Sequence, residues 1–195
     1  TTTLTGLLLQ RKYKNTAVVG NIGVAYSEKV SDLTEDDYVC AEISSFQLET
    51  SRTFNPHIAA VLNITPDHLN RHKTMENYVA VKEKIFANQT ADDFTILNKN
   101  DDYCRKMADK TKGKVLFFSS SEKLEEGIFL EGENIHIRWN GIDENLINVN
   151  ELKILGVHNY ENVMAAVGCA LCAGVSLDDI REVLKEFNGV EHRIE

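Results

Sequence analysis

The strongest constraint on this chain is a rhythm. Through the first 118 residues, short apolar runs of strand length alternate with stretches of helical composition. Residues 16–19 read as a strand ending at Gly20. Residues 38–43 and 58–62 are continuous apolar runs, the pattern of parallel strands buried on both faces. Residues 4–13 are short, apolar and helical in composition, and residues 46–53 are expected to turn back across the sheet. Residues 75–88 read as a helix with Tyr78, Val79, Val81, Ile85 and Phe86 on its apolar face. A strand at 94–97, a helix at 101–110 and a strand at 115–118 continue the series. Repeated strand–helix–strand units predict an α/β fold, a mostly parallel sheet with right-handed crossovers and helices on both sides.

The rhythm changes at Ser119. From there to Asn150 the segments are short and β-like, separated by Glu131-Gly132-Glu133-Asn134 and by Asn140-Gly141, a strong hairpin signal. This predicts a small antiparallel β meander over 119–150. Residues 159–173 then read as a buried helix. Leu177, Ile180, Val183, Leu184 and Phe187 place one apolar stripe on a last helix capped by Ser176.

At 195 residues, 43% hydrophobic and 26% charged, the chain is globular in composition. A chain this long sustains a core that buries roughly 70% of its unfolded surface. Twenty-one basic against thirty acidic residues leave a formal charge of −9. That balance argues against sequence-independent binding to nucleic acid or to anionic lipid. No apolar run approaches the ~18 residues of a membrane span, and the start shows no secretory signal. Cys169 and Cys172 have redox-motif spacing but lie in Ala/Val/Leu-rich sequence, whereas a working pair belongs at an exposed helix start. Core packing and a reduced, cytoplasmic setting are expected.

In open parallel sheets, ligands bind beyond the C-terminal strand ends. Those ends read Gly20-Asn21-Ile22-Gly23, Glu42-Ile-Ser44-Ser45 and Asn63-Ile-Thr-Pro-Asp67-His68. They bring an amide, a carboxylate, hydroxyls and an imidazole to what is expected to be one crevice at the edge of one sheet. Glu42 ends an apolar run, where an unpaired carboxylate is costly to bury. It reads either as a buried ion pair or cap acceptor, or as a ligand for a hard cation such as Mg²⁺. His68 reads as a loop hydrogen-bonder or a ligand. With His57 and His72 nearby in sequence, a zinc site is a rival reading. Lys82 on its helix reads as an ordinary solvated lysine. The phosphate-cradling pattern G-x-x-x-x-G-K-[ST] is absent: Gly113-Lys114 is followed by Val115, and Ala108 stands where the first glycine belongs. Thr1-Thr-Thr-Leu-Thr5 leading into an apolar helix nonetheless matches the stretch just beyond the lysine of such a loop, so a start cut at that point is expected.

Six ordered motifs together resemble the central domain of the Mur ligase family. They are Gly20-Asn-Ile-Gly23, Glu42-Ile-Ser-Ser-Phe-Gln-Leu-Glu49, Asn63-Ile-Thr-Pro-Asp-His68, Ala80-Val-Lys-Glu-Lys-Ile-Phe86, Gly156-Val-His-Asn-Tyr-Glu-Asn162 and Gly189-Val-Glu-His-Arg193. The second is similar to the branch that adds D-glutamate. The resemblance implies a three-domain, monomeric, cytoplasmic enzyme of peptidoglycan synthesis, of which residues 1–195 are the central ATP-binding part. Its substrates would be UDP-N-acetylmuramoyl-L-alanine and D-glutamate, joined through an acyl phosphate with ATP and Mg²⁺. By motif, Glu42 and His68 would hold magnesium, and Lys82 would be carbamylated to give an oxygen donor at a second metal. Asn21 would face the reacting substrate, and Asn159, Asn162 and Arg193 would contact the nucleotide. Ser44 and Ser45 would lie near substrate or phosphate. The family's usual Asp-His-Leu-Asp reads Asp67-His-Leu-Asn70 here, which removes one carboxylate from that loop. Without the glycine-rich loop, the fragment alone is expected to be inactive. The alternatives are another ligase of the superfamily such as a folylpolyglutamate synthetase, a zinc hydrolase built on His57, His68, His72 and Glu42, and a non-catalytic domain whose polar strand ends cap the fold.

Overall fold

The computed structural model describes residues 1–21 and 23–189. Helix α1 (Thr2–Gln10) buries Leu4, Leu8 and Leu9 along one stripe, as helical spacing dictates. It leads to β1 (Thr16–Gly20), a short α2 (Tyr26–Lys29) and β2 (Tyr38–Glu42). Residues 46–53, expected to turn back, begin within a helix, α3 (Ser45–Thr50). Then come β3 (Ile58–Val61), the single turn α4 (Leu69–His72), α5 (Met75–Glu83) and β4 (Phe94–Asn98). They are followed by α6 (Asp102–Met107) and β5 (Lys114–Ser119). The remainder is β6 (Gly127–Glu131), β7 (Asn134–Trp139), β8 (Ile142–Asn148), α7 (Val157–Cys172) and α8 (Leu177–Glu186).

The strands hydrogen-bond as two sheets. β1 and β2 pair in parallel, from Thr16 with Tyr38 to Gly20 with Glu42. The other sheet runs β3-β4-β5-β6-β7-β8. One expectation is thereby corrected: the three strand ends that carry the candidate residues belong to two sheets, not one. The reason is that an apolar run dictates burial but says nothing about which strand pairs with it. β3, β4, β5 and β6 are mutually parallel, and β6, β7 and β8 form the antiparallel meander. Because Phe118 and Ser119 of β5 pair with Ile128 and Phe129 of β6, the meander extends the larger sheet instead of standing apart. Its β7–β8 turn is the Asn140-Gly141 pair, with φ of 49° and 83°, the two positive values a tight hairpin needs.

Helices cover both faces. On one, α7 buries Val163, Met164, Ala165, Ala166, Val167 and Ala170 against the sheet, with α1 and α8 beside it. Gly168 permits the close approach: a Cβ there would lie 3.1 Å from Ile96 Cγ2. On the other face, Tyr78, Val79, Phe86, Cys104 and Met107 pack with Ala59, Val61, Ile64 and Leu97. Fully burying each large apolar side chain contributes ~1.5–3 kcal/mol. The cysteine pair is core packing, as the sequence suggested. Burial raises the thiols of Cys169 and Cys172, the latter to about 12. Ser176 caps α8 by accepting from Asp179 N.

Candidate active site

The site starts at the end of β1. Gly20 holds φ at 117°, and a Cβ there would lie 2.2 Å from the Glu42 carbonyl oxygen. Only glycine lets the two strand ends close so tightly. The Asn21 amide donates to that carbonyl at 2.8 Å, and its side-chain Nδ2 donates to Glu42 Oε1 at 3.3 Å. From the other side, Thr2 Oγ1 donates to Glu42 Oε2 at 3.3 Å. The same turn of α1 is pinned by Cys40 Sγ, which donates to the Thr2 carbonyl at 3.4 Å. Thr1 Oγ1 donates to Asn162 Oδ1 of α7 at 2.7 Å. Two strand ends and two helix starts therefore bring Thr1, Thr2, Asn21, Glu42 and Asn162 together. Asn159, one turn earlier in α7, spends its amide on the Leu155 carbonyl at 2.7 Å.

A second group gathers around α3. Ser44 is its N-cap: the hydroxyl accepts from Gln47 N at 3.3 Å, and Gln47 Oε1 accepts from Ser44 N at 2.8 Å. This reciprocal box fixes how the chain leaves β2. Ser45 is only 4% exposed and lies 3.0 Å from His72 Nε2. Its expected contact with substrate or phosphate finds no surface, because the hydroxyl is buried and already paired. His68 stands in the left-handed region, its amide donating to Asp67 Oδ1 at 2.7 Å, with the Phe46 ring 4.8 Å away. Lys82 holds its ammonium 5.3 Å from the Tyr78 ring, and Tyr78 in turn lies 5.1 Å from His72. Lys82 and His68 thus border one aromatic cluster, whereas no hydrogen bond or ion pair among the described residues joins Glu42, His68 and Lys82. Arg193 lies outside the described residues.

The oxygen set around Glu42 suits a hard cation. The Glu42 carboxylate, held by 3.3 Å contacts, and the Thr2 hydroxyl beside it offer donors of the kind Mg²⁺ accepts alongside water and phosphate. The zinc alternative is not supported. Among the described residues no three His, Cys, Asp or Glu side chains form a metal-ready group. His57 precedes β3 and is bound to Asp93 at 2.9 Å, at the strand end opposite to His68, and His72 is committed to Ser45.

Sequence reasoning passed over Glu161. Its carboxylate accepts from Asn100 Nδ2 at 2.9 Å, Ser120 Oγ at 2.5 Å and Asn98 Nδ2 at 3.4 Å. It ties the start of α7 to the ends of β4 and β5. The polar residues at those ends, Asn98, Asn100 and Ser119 to Ser121, were the available signal.

Residues 1–170 match the profile described as the Mur ligase middle domain. The whole chain is 51% identical over 195 residues to UDP-N-acetylmuramoylalanine–D-glutamate ligase of Lachnoclostridium phytofermentans. It is 45% identical over 195 residues to the enzyme of that name from Alkaliphilus metalliredigens. In each case it spans 43% of the relative's length. Among solved structures, a UDP-N-acetylmuramoyl-L-alanyl-D-glutamate–2,6-diaminopimelate ligase superposes over all of this chain and 45% of its own, with a TM-score of 0.77 at 18% identity. MurF of Acinetobacter baumannii covers 98% of this chain and 44% of its own, at 0.72 and 21%. At these identities the likeness is one of fold. By its matched profile, the chain belongs to the Mur ligase middle-domain family.

Proposed function

We propose that this chain is the nucleotide-handling part of an ATP-dependent ligase that joins D-glutamate to UDP-N-acetylmuramoyl-L-alanine in peptidoglycan synthesis. The observation that carries the reading is the convergence on the Glu42 carboxylate of the Thr2 hydroxyl and the Asn21 amide, with Thr1 bridging to Asn162. The relatives bearing that enzyme name align over the entire chain, which supports the choice of amino acid. ATP and Mg²⁺, when bound, supply the phosphoryl group that converts the substrate carboxylate into an acyl phosphate and the positive charge that screens the phosphates.

The chain's own residues position and screen, which is most of what phosphoryl transfer asks of a protein. Glu42, Thr2 and His68 would hold the cation. Asn21 orients the reacting carboxylate, and Ser44 fixes the exit from β2 beside it. Asn159, Asn162 and Arg193 bind the nucleotide. Lys82 reacts with CO₂ as the free amine, loses a proton and becomes a carbamate, exchanging a cation for an oxygen donor. The intact enzyme works in the cytoplasm as a monomer, on small molecules and without nucleic acid or membrane. No helix among the described residues is long and apolar enough to cross a membrane.

The test uses the full-length protein with UDP-N-acetylmuramoyl-L-alanine, ATP and Mg²⁺. D-Glutamate should release phosphate, whereas L-lysine in its place, or folate with L-glutamate in place of the muramoyl substrate, should not. Glu42→Gln should abolish release and weaken Mn²⁺ binding measured by electron paramagnetic resonance. Release with L-lysine or folate but not with D-glutamate would overturn the reading, as would undiminished activity of the Glu42→Gln enzyme.

A further inference from the structure

The turn that carries His68 is strained at both ends. His68 has φ 52° and ψ 28°, and Lys73 has φ 71° and ψ −44°. The single turn α4 is thus bracketed by two residues with side chains in a region that favours glycine. Such conformations persist only where the surroundings over-determine them, and they gather at functional sites. Several contacts hold this turn. Arg71 pairs with Glu49 at 2.7 Å, but both are substantially exposed, and such pairs hold weakly. Asn77 Nδ2 donates to the His72 carbonyl at 3.0 Å from the next helix.

The contact of another kind is Ser45 Oγ to His72 Nε2 at 3.0 Å, with both residues 4% exposed. A polar pair at that depth cannot exchange its partner for water without cost, so its geometry is enforced. It joins the first residue of α3, directly beyond the β2 end, to the last residue of α4. The Phe46 ring next to Ser45 faces both His68, at 4.8 Å, and His72, at 5.9 Å. Tyr78 closes the cluster against His72 at 5.1 Å.

We propose that the Ser45–His72 hydrogen bond is a latch that fixes the strained turn and thereby sets the imidazole of His68 relative to the Glu42 strand end. Ser45 and His72 are positioning residues, acting through the turn and not on a ligand. The proposal rests on the proposed function only in taking His68 as a cation ligand. The placement of the His68 ring is a separate observable.

The experiment uses full-length protein with ¹⁵N-labelled histidine, the His68 ring signal being assigned by its loss in His68→Ala. Ser45→Ala and His72→Phe each break the latch, while His72→Gln keeps a polar atom near the position of Nε2. Circular dichroism shows whether each variant is folded, and the two breaking variants stand in for each other if one is not. The His68 ring signal should shift and broaden in Ser45→Ala and His72→Phe and return toward the parent in His72→Gln. Mn²⁺ affinity of the nucleotide-free protein should fall by about 10-fold in the breaking variants, the lower end of what losing a direct partner of a ligating histidine costs, because the latch acts on His68 through the turn. An unmoved His68 signal in folded breaking variants overturns the latch. A signal that moves while His68→Ala binds Mn²⁺ like the parent upholds the latch and removes His68 from the cation site.

Discussion

Gly6 lies on the buried side of α1, where a Cβ would stand 2.3 Å from Val18 Cγ2 of β1. Non-bonded carbons rest ~3.5–4.0 Å apart, so Gly6→Ala forces α1 away from β1 or drives Val18, stiff at its branched Cβ, out of its rotamer. Overpacking of this kind costs ~1–3 kcal/mol, against ~1 kcal/mol gained from alanine's helix propensity. The net expectation is a loss of about 1 kcal/mol. Val18→Ala alone removes two half-buried methyl groups, about 1 kcal/mol at ~0.8 per buried carbon. With the methyls gone the clash disappears and the propensity gain remains, so adding Gly6→Ala to Val18→Ala should stabilise by about 1 kcal/mol. The two positions are therefore coupled by about 2 kcal/mol. Amide hydrogen exchange across α1 in the intact protein reads this directly. Exchange should quicken about 5-fold in Gly6→Ala and slow about 5-fold on adding the same change to Val18→Ala. A coupling below about 0.5 kcal/mol would refute the reasoning, since the two positions would then behave independently. The contact matters beyond α1, because the same helix presents Thr1 and Thr2 to Asn162 and Glu42.

Three further outcomes are expected. Ser176→Ala removes the cap of α8 and should cost ~1 kcal/mol, seen as faster exchange at Asp179 and its neighbours. The Asp93 carboxyl is held below its ordinary value, first by the Thr90 amide and then by His57. Its contribution is full above the unfolded pKa of about 3.9 and is lost as pH falls through the lower folded value. Asp93→Asn should therefore weaken the protein at neutral pH and shallow its acid-unfolding limb, as monitored by circular dichroism between neutral pH and acid. Burial pushes the Cys40 thiol to about 11 and that of Cys172 to about 12, so a disulfide-exchange reagent at neutral pH should label them only after denaturant is added.

Much of this arrangement is legible in the chain itself. The apolar runs at 38–43 and 58–62, the Asn140-Gly141 turn and the Ser176 cap each become the expected element, because local periodicity and turn chemistry determine them. Reading the strand ends found Asn21 and Glu42, which the structure joins. What was hidden is tertiary. Ser45 and His72 look like surface polars in a loop-rich stretch, and only burial from α5 turns them into a pair. Glu161 is one carboxylate among many on helices, and nothing local shows that its side chain meets β4 and β5. Lys82 reads as solvated until Tyr78, four residues earlier on the same helix, is seen beneath it.

The division of the strands into two hydrogen-bonded sets has a mechanical consequence. Among the described residues no ladder crosses from β2 to β3, so the strand presenting Glu42 and the one leading to His68 are not riveted together by backbone. The seam is spanned by side chains: α1 packs against α7 on one face and α3 against α5 on the other, where the Ser45–His72 hydrogen bond also crosses it. Packed side chains slide where peptide ladders would have to break. The spacing of the two strand ends is therefore set by a handful of side chains in the helices, the Ser45–His72 pair among them, and a substitution in any of these shifts it without touching either end.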